Sequence, residues 1–172
     1  MHGKPFNKLI YICLCGIFMV SCSISLFSDK EEKFKEIAPI HNMNTILKFI
    51  KPEKAFNTFK IGDTVVLDLI NNSNDTIYFD SGYGLEIYYF DDSINNWIKI
   101  PNNTQYIPAD AHPSLPPNKP NDFHLLGISI KPGIEGYFTQ VTIRVVVKGQ
   151  NKLSDPSKDE IVGAYIDVPL HR

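Results

Sequence analysis

The stretch from Tyr137 to Lys148 carries the clearest strand pattern in the chain, and this constrains the fold more than any other stretch. Val141, Ile143, Val145 and Val147 are apolar and β-branched at every second position, and Thr142, Arg144 and Lys148 have the opposite parity. A period of two puts the four apolar side chains on one face of a strand, whereas a helix would spread them around its circumference. A strand with one apolar face needs a second apolar layer over it.

Candidate neighbours recur along the chain. Residues Thr64–Ile70 carry Val65, Leu67 and Leu69 on one side, and after Asn71-Asn72-Ser73-Asn74-Asp75 the residues Ile77 and Phe79 alternate with Thr76 and Tyr78. The polar cluster is turn chemistry, so these two runs are expected to form a hairpin. Ser81–Gly84 turns the chain again, and Leu85, Ile87 and Tyr89 oppose Glu86, Tyr88 and Phe90. A turn over Asp91–Asn96 leads to Trp97–Ile100, whose tryptophan is expected to be a core or inter-sheet anchor. Thr45–Ile50, closed by Pro52, reads as an edge strand, because proline is confined to edges and strand ends. Phe123–Ile130 and Ile161–Val168 complete the set, with Pro169 expected to stop the last strand. Residues 101–121 hold six prolines and read as a long loop with room for one short strand.

Seven or eight short strands with turn signals between them predict an all-β antiparallel sandwich over residues 43–172. Ile61-Gly62-Asp63 through Asn71-Asn72-Ser73 to Ile77-Tyr78-Phe79, with Gly163-Ala164-Tyr165 near the end, resembles the strands of bacterial immunoglobulin-like domains. That group includes secreted Ig-like lipoproteins and the Bacillus-type proteinase-inhibitor family. The resemblance covers residues 45–168, implies an immunoglobulin-like β-sandwich and brings no catalytic residues with it.

The amino terminus reads separately. Lys4 and Lys8 precede an apolar run from Leu9 to Val20, about 18 Å long as a helix, which is short of a ~30 Å hydrocarbon core. The run has the order of a secretory signal. Met19-Val20-Ser21-Cys22 resembles the lipobox of bacterial lipoproteins, with Met19 where leucine is usual. The resemblance implies a signal peptide over residues 1–21, a diacylglyceryl thioether on Cys22, and acylation of its new amine with palmitate-type chains. Residues 22–42, with Asp29-Lys30-Glu31-Glu32-Lys33 at their centre, are expected to be a solvated flexible tether. Serine after the cysteine implies, by resemblance to Gram-negative sorting, an outer-membrane location on its periplasmic or surface face. Cys13 and Cys15 would leave with the signal and Cys22 would carry lipid, so no disulfide is expected.

Composition narrows the function. Loss of Lys4 and Lys8 leaves 15 basic against 19 acidic residues, a net charge of −4. No basic stripe is present, which argues against a nucleic-acid partner. His41, His112, His124 and His171 lack metal-ligand spacing. His41 with Met43 is too sparse for copper, and Asn72–Asp75 and Asp91–Asn96 do not follow the EF-hand register. No G-x-S-x-G motif or nucleophile stands out. The expectation is a non-enzymatic envelope lipoprotein without catalytic residues, metal or cofactor, held to the membrane by its lipid and binding an envelope protein or a glycan. Tyr83, Tyr106 and Trp97 are the candidate contact residues, since tyrosine and tryptophan dominate binding hot spots. The second reading is a proteinase-inhibitor-like module acting through the loop 101–121.

Overall fold

Val141, Ile143, Val145 and Val147 lie, as their alternation predicts, on the inner face of one long strand at the centre of the larger of two sheets. The computed structural model describes residues 29–40, 42–50, 59–100, 113–118, 125–134, 139–151 and 160–172. The chain divides into two units, Met1–Pro39 and Ile40–Arg172.

The second unit is built of antiparallel strands: β1 (Leu47–Ile50), β2 (Val65–Asn71), β3 (Ile77–Phe79), β4 (Glu86–Asp91), β5 (Asn96–Ile100), β6 (Ser114–Leu115), β7 (Leu125–Ile130), β8 (Gln140–Asn151) and β9 (Glu160–His171). These nine, among the described residues, exceed the seven or eight expected, and β6 lies inside the proline-rich segment. One sheet has the order β1-β2-β7. The other runs β5-β4-β8-β9, with β3 beside the far end of β8 and β6 beyond β3. Leu47, Val65, Leu67, Leu69, Ile128 and Ile130 of the first sheet share one hydrophobic core with Ile77, Ile87, Ile143, Val145, Val162 and Leu170 of the second. Each such side chain contributes about 1.5–3 kcal/mol on burial.

The expected β2–β3 hairpin does not form. β2 pairs with β1 and β7, β3 pairs with β8 and β6, and the polar loop between them carries the chain from one sheet to the other. Asn71 holds this crossing. It is fully buried, and its amide donates to the carbonyls of Asp75 (2.7 Å) and Leu115 (2.9 Å). Its side-chain oxygen accepts from the backbone N–H (2.9 Å) and hydroxyl (2.7 Å) of Ser73. Both donors and both lone pairs of the amide are used, which is how a buried polar side chain is accommodated.

β3 and β4 are one strand interrupted. Phe79 stands opposite Gly149 and Glu86 opposite Val146, so seven steps on one side face three on the other. The four surplus residues are taken up by a short 3-10 turn at Ser81–Gly84, where Gly82, Tyr83 and Gly84 all have positive φ. Gly84 is required there: a Cβ would stand 2.6 Å from the Lys148 carbonyl oxygen.

The outer edge of β9 is covered at two places. Near its middle, the Asn44 N–H donates to the Gly163 carbonyl and the Asn44 side chain accepts from the Tyr165 N–H. At its end, His171 exchanges backbone hydrogen bonds with Phe59 and Ile61 around a parallel bridge to Lys60. Covering an edge in this way removes a template for aggregation. The pattern also corrects the expectation that Pro169 ends the strand, because β9 runs through to His171. Residues 163, 165 and 171 direct their backbone groups away from β8, so Pro169, at the same parity, lacks its N–H on the outer side where no β8 ladder bond is lost.

In the first unit, residues 29–37 are helical where an irregular tether was expected. Lysine and glutamate are good helix formers, Asp29 and Lys33 form an i,i+4 ion pair at 3.3 Å, and Phe34 and Ala38 are buried one turn apart. Pro39 bars continuation.

Replacing Asn71 with alanine removes the amide donor to the buried Leu115 carbonyl and one of the two side-chain donors to the Asp75 carbonyl, which keeps the Ser73 hydroxyl. Urea unfolding of Asn71→Ala is expected to show a loss of about 2–4 kcal/mol, with unchanged secondary structure by circular dichroism.

Candidate functional site

The outer face of the larger sheet carries the side chains that alternate with the core. Across it, Lys99 of β5 stands opposite Tyr88 of β4, Tyr88 opposite Arg144 of β8, and Arg144 opposite Asp167 of β9. In the adjoining row Glu86 faces Val146, and Val146 faces Tyr165.

Arg144 is only 1% exposed, although its position on the outer face predicts a solvated residue. Its Nε and Nη2 donate to the two Asp167 carboxylate oxygens, both at 2.7 Å. Its guanidinium carbon lies 4.0 Å from the Tyr165 ring centroid and 4.4 Å from that of Trp97. The Trp97 ring meets Phe90 edge-on at 5.3 Å. A planar cation between two aromatic faces, with a bidentate carboxylate in its plane, is an arrangement that arginine satisfies and lysine does not. Trp97 is buried, but it packs on the outer face around Arg144 and takes no part in the core between the sheets, which corrects the expectation of a core or inter-sheet anchor.

A second polar group adjoins the first. The Glu86 carboxylate accepts from Lys99 Nζ (2.7 Å) and the Tyr88 hydroxyl (2.8 Å), and forms an ion pair with Lys148 Nζ (2.6 Å). Burial alone would raise the Glu86 pKa, but the hydrogen bonds from Lys148, Lys99 and Tyr88 outweigh it and hold the carboxyl at about 2. Burial first, and then the bond to Glu86, push the Tyr88 phenol upward.

Beyond Lys148 the same face opens into a cleft of about 440 Å³, lined by Tyr78, Phe79, Asp80, Lys148, Gly149, Gln150 and Ile161. Tyr78 is 41% exposed and Ile161 60%. Gly149 forms part of its floor, and a Cβ there would meet Ile77 at 2.5 Å and Phe79 at 2.9 Å. The side chains around the cleft stand on β3, β8 and β9, so hydrogen-bonded strands fix their spacing.

Of the three residues singled out in the sequence, the two that are described occupy different elements. Tyr83 lies in the Ser81–Gly84 turn, half-buried against the core, with its ring 6.0 Å from Phe79. Trp97 is under Arg144, and Tyr106 and Cys22 lie outside the described residues. The cleft residues Tyr78, Asp80, Gln150 and Ile161 went unnoticed. Their signal was present, since Tyr78 and Ile161 are apolar at positions whose strand parity assigns them to the outer face. Among the described residues no group of histidine, cysteine or acidic side chains could hold a metal ion, and no helix is long and apolar enough to cross a membrane. Comparison with known protein families, characterised proteins and solved structures finds no match for the chain.

Two measurements test the polar layer. Arg144→Lys keeps the charge but loses the planar stack and the bidentate bond, and is expected to lower the unfolding free energy by about 1–3 kcal/mol in urea titrations. Glu86 has a folded pKa depressed from 4.5 to about 2, so its stabilisation is present above pH 4.5 and fades as pH falls toward 2. Unfolding followed across that window should show a loss of about 1–2 kcal/mol, after allowance for solvent screening, that is absent in Glu86→Gln.

Proposed function

We propose that this chain is a lipid-tethered, immunoglobulin-like domain of a bacterial cell envelope, and that it acts by binding rather than by catalysis. The observation that carries the binding reading is the cleft beside Lys148, where exposed side chains from three hydrogen-bonded strands surround a concave surface. The tether rests on the sequence Met19-Val20-Ser21-Cys22 behind a short apolar run. Cleavage before Cys22 and acylation there would hold the domain at the membrane, with the outer membrane favoured by Ser23. More than one buried acyl chain makes such an anchor stable, at about 0.8 kcal/mol per methylene.

The pairing supports the immunoglobulin-like reading. β1, β2 and β7 make one sheet, β3, β4, β5, β6, β8 and β9 the other, and the chain crosses between them after β2, β6 and β7, as in a two-sheet antiparallel sandwich. Phe59–Ile61 run parallel to the end of β9. A proteinase-inhibitor role would need a loop that projects from residues 101–121. The described part of that stretch is docked instead: β6 pairs with β3, the Phe79 N–H donates to Pro113, and the Asn118 N–H donates to Asn71.

Intact-mass spectrometry of the protein from its native membrane tests the tether. The expected mass is that of residues 22–172 plus acyl chains, and Cys22→Ala should shift the protein from the membrane to the soluble fraction. An unlipidated mass, with Cys22→Ala unchanged in location, would remove the tether from the proposal.

A further inference from the structure

The cleft has a composition that selects among ligands. Its row Ser114, Tyr78, Gln150 and Ile161 crosses four strands, and every member is exposed. Tyr78 offers an aromatic ring, Ile161 an aliphatic wall, Gln150 both a donor and an acceptor, and Asp80 a carboxylate. Lys148 contributes an ammonium that already has a carboxylate 2.6 Å away in Glu86.

Three ligand classes fit poorly. A charged ligand finds little net field, because the ammoniums of Lys99 and Lys148 are balanced by the carboxylates of Glu86 and Asp80. A wholly apolar ligand would strip water from Asp80, Gln150 and Lys148 and return no hydrogen bond, at a cost for each group. An extended peptide added as a strand needs a free edge, yet β3 lies between β6 and β8, and β8 lies between β3 and β9.

A pyranose ring meets all the conditions. One face presents C–H groups that pack on an aromatic ring, and the rim presents hydroxyls that both donate and accept. A volume of about 440 Å³ lies within the range of small-ligand sites. We propose that this cleft binds a neutral saccharide, with Tyr78 as the stacking platform, Asp80 and Gln150 bonding ring hydroxyls, and Ile161 as the apolar wall. This inference rests on the reading of the chain as a binding domain and names its ligand class.

The test uses the full-length protein in a detergent that carries no sugar. Saturation-transfer-difference NMR and calorimetry are run with maltohexaose, cellohexaose, mannohexaose and xylohexaose, and with heparin and alginate fragments as charged controls. At least one neutral hexasaccharide is expected to bind, with transfer strongest at the C–H protons of one ring face. Tyr78→Ala should weaken that binding by about tenfold or more, while Tyr78→Phe, which keeps the ring, should stay within about threefold of the parent. Because Tyr78 is exposed, both variants should keep the parent's circular dichroism, which separates loss of the site from loss of the fold. The assignment is overturned if no neutral sugar binds, if the charged fragments bind more tightly, or if Tyr78→Ala binds as well as the parent. Photocrosslinking from Gln150 separates the two levels of the proposal. An envelope protein captured from intact cells, with no sugar bound, would overturn the saccharide and leave the binding domain standing. Neither sugar nor crosslinked partner would overturn both.

Discussion

The guanidinium of Arg144 is the charge around which the larger sheet is arranged. β8 places Ile143 and Val145 in the core, and the residue between them must lie on the opposite face. An ionised side chain that is 1% exposed is tolerated only when its charge is matched, and here Nε and Nη2 are bonded while Nη1 has no hydrogen-bond acceptor among the described residues. The match comes from β9 through Asp167 and Tyr165, and from β5 through Trp97. A slip of one residue in β8 would turn Arg144 into the core and bring the valines out. The same pairing that fixes the ion therefore fixes the register of the sheet, and the two requirements reinforce each other.

Strand periodicity was legible because it is a local property. The alternation in β2, β4 and β8 assigned each side chain to its face, and β1 took its place as an edge strand. Which strands pair is not local. Residues Asn71–Asp75 have the composition of a hairpin turn, yet the Asn71 amide reaches Leu115, forty-four positions on, and the chain crosses to the other sheet. Proline at 169 signals a strand end only if its N–H would have met a partner, and parity places it on the side away from β8. In residues 29–37 the charged run suggested solvation, while the spacing of Phe34 and Ala38 was the better guide. Arg144 was misjudged for a related reason. Its strand assigned the correct face, but only the neighbouring strands show that this face is lined with Tyr88, Phe90, Trp97 and Tyr165.

The candidate site was the least legible part. Tyrosine and tryptophan are frequent in binding surfaces, but their type alone does not say which of them is exposed. Tyr83 is drawn inward by the turn with positive φ, Trp97 is taken up by the cation, and Tyr78 is left at the surface. The excursion between β3 and β4 has a part in this. It lets two short strands pair with one long one, so that β3 sits beside the end of β8 and brings Tyr78 next to Gln150.

The electrostatics of the Glu86 cluster make it a fixed part of the outer face rather than a titrating one. General acid or base catalysis needs a side chain whose proton is exchangeable near the working pH. In the Glu86 cluster the shifts run the other way: the carboxyl is held at about 2 and the Tyr88 phenol is raised, so both stay in one protonation state across the physiological range. Lys148 is drawn into this fixed network at one end of the cleft. Beyond it Tyr78, Gln150 and Ile161 present exposed side chains on a backbone held by ladder bonds, with Asp80 just past the end of β3. Side chains on so fixed a backbone lose little conformational freedom when a ligand is bound, which is what the proposed site requires.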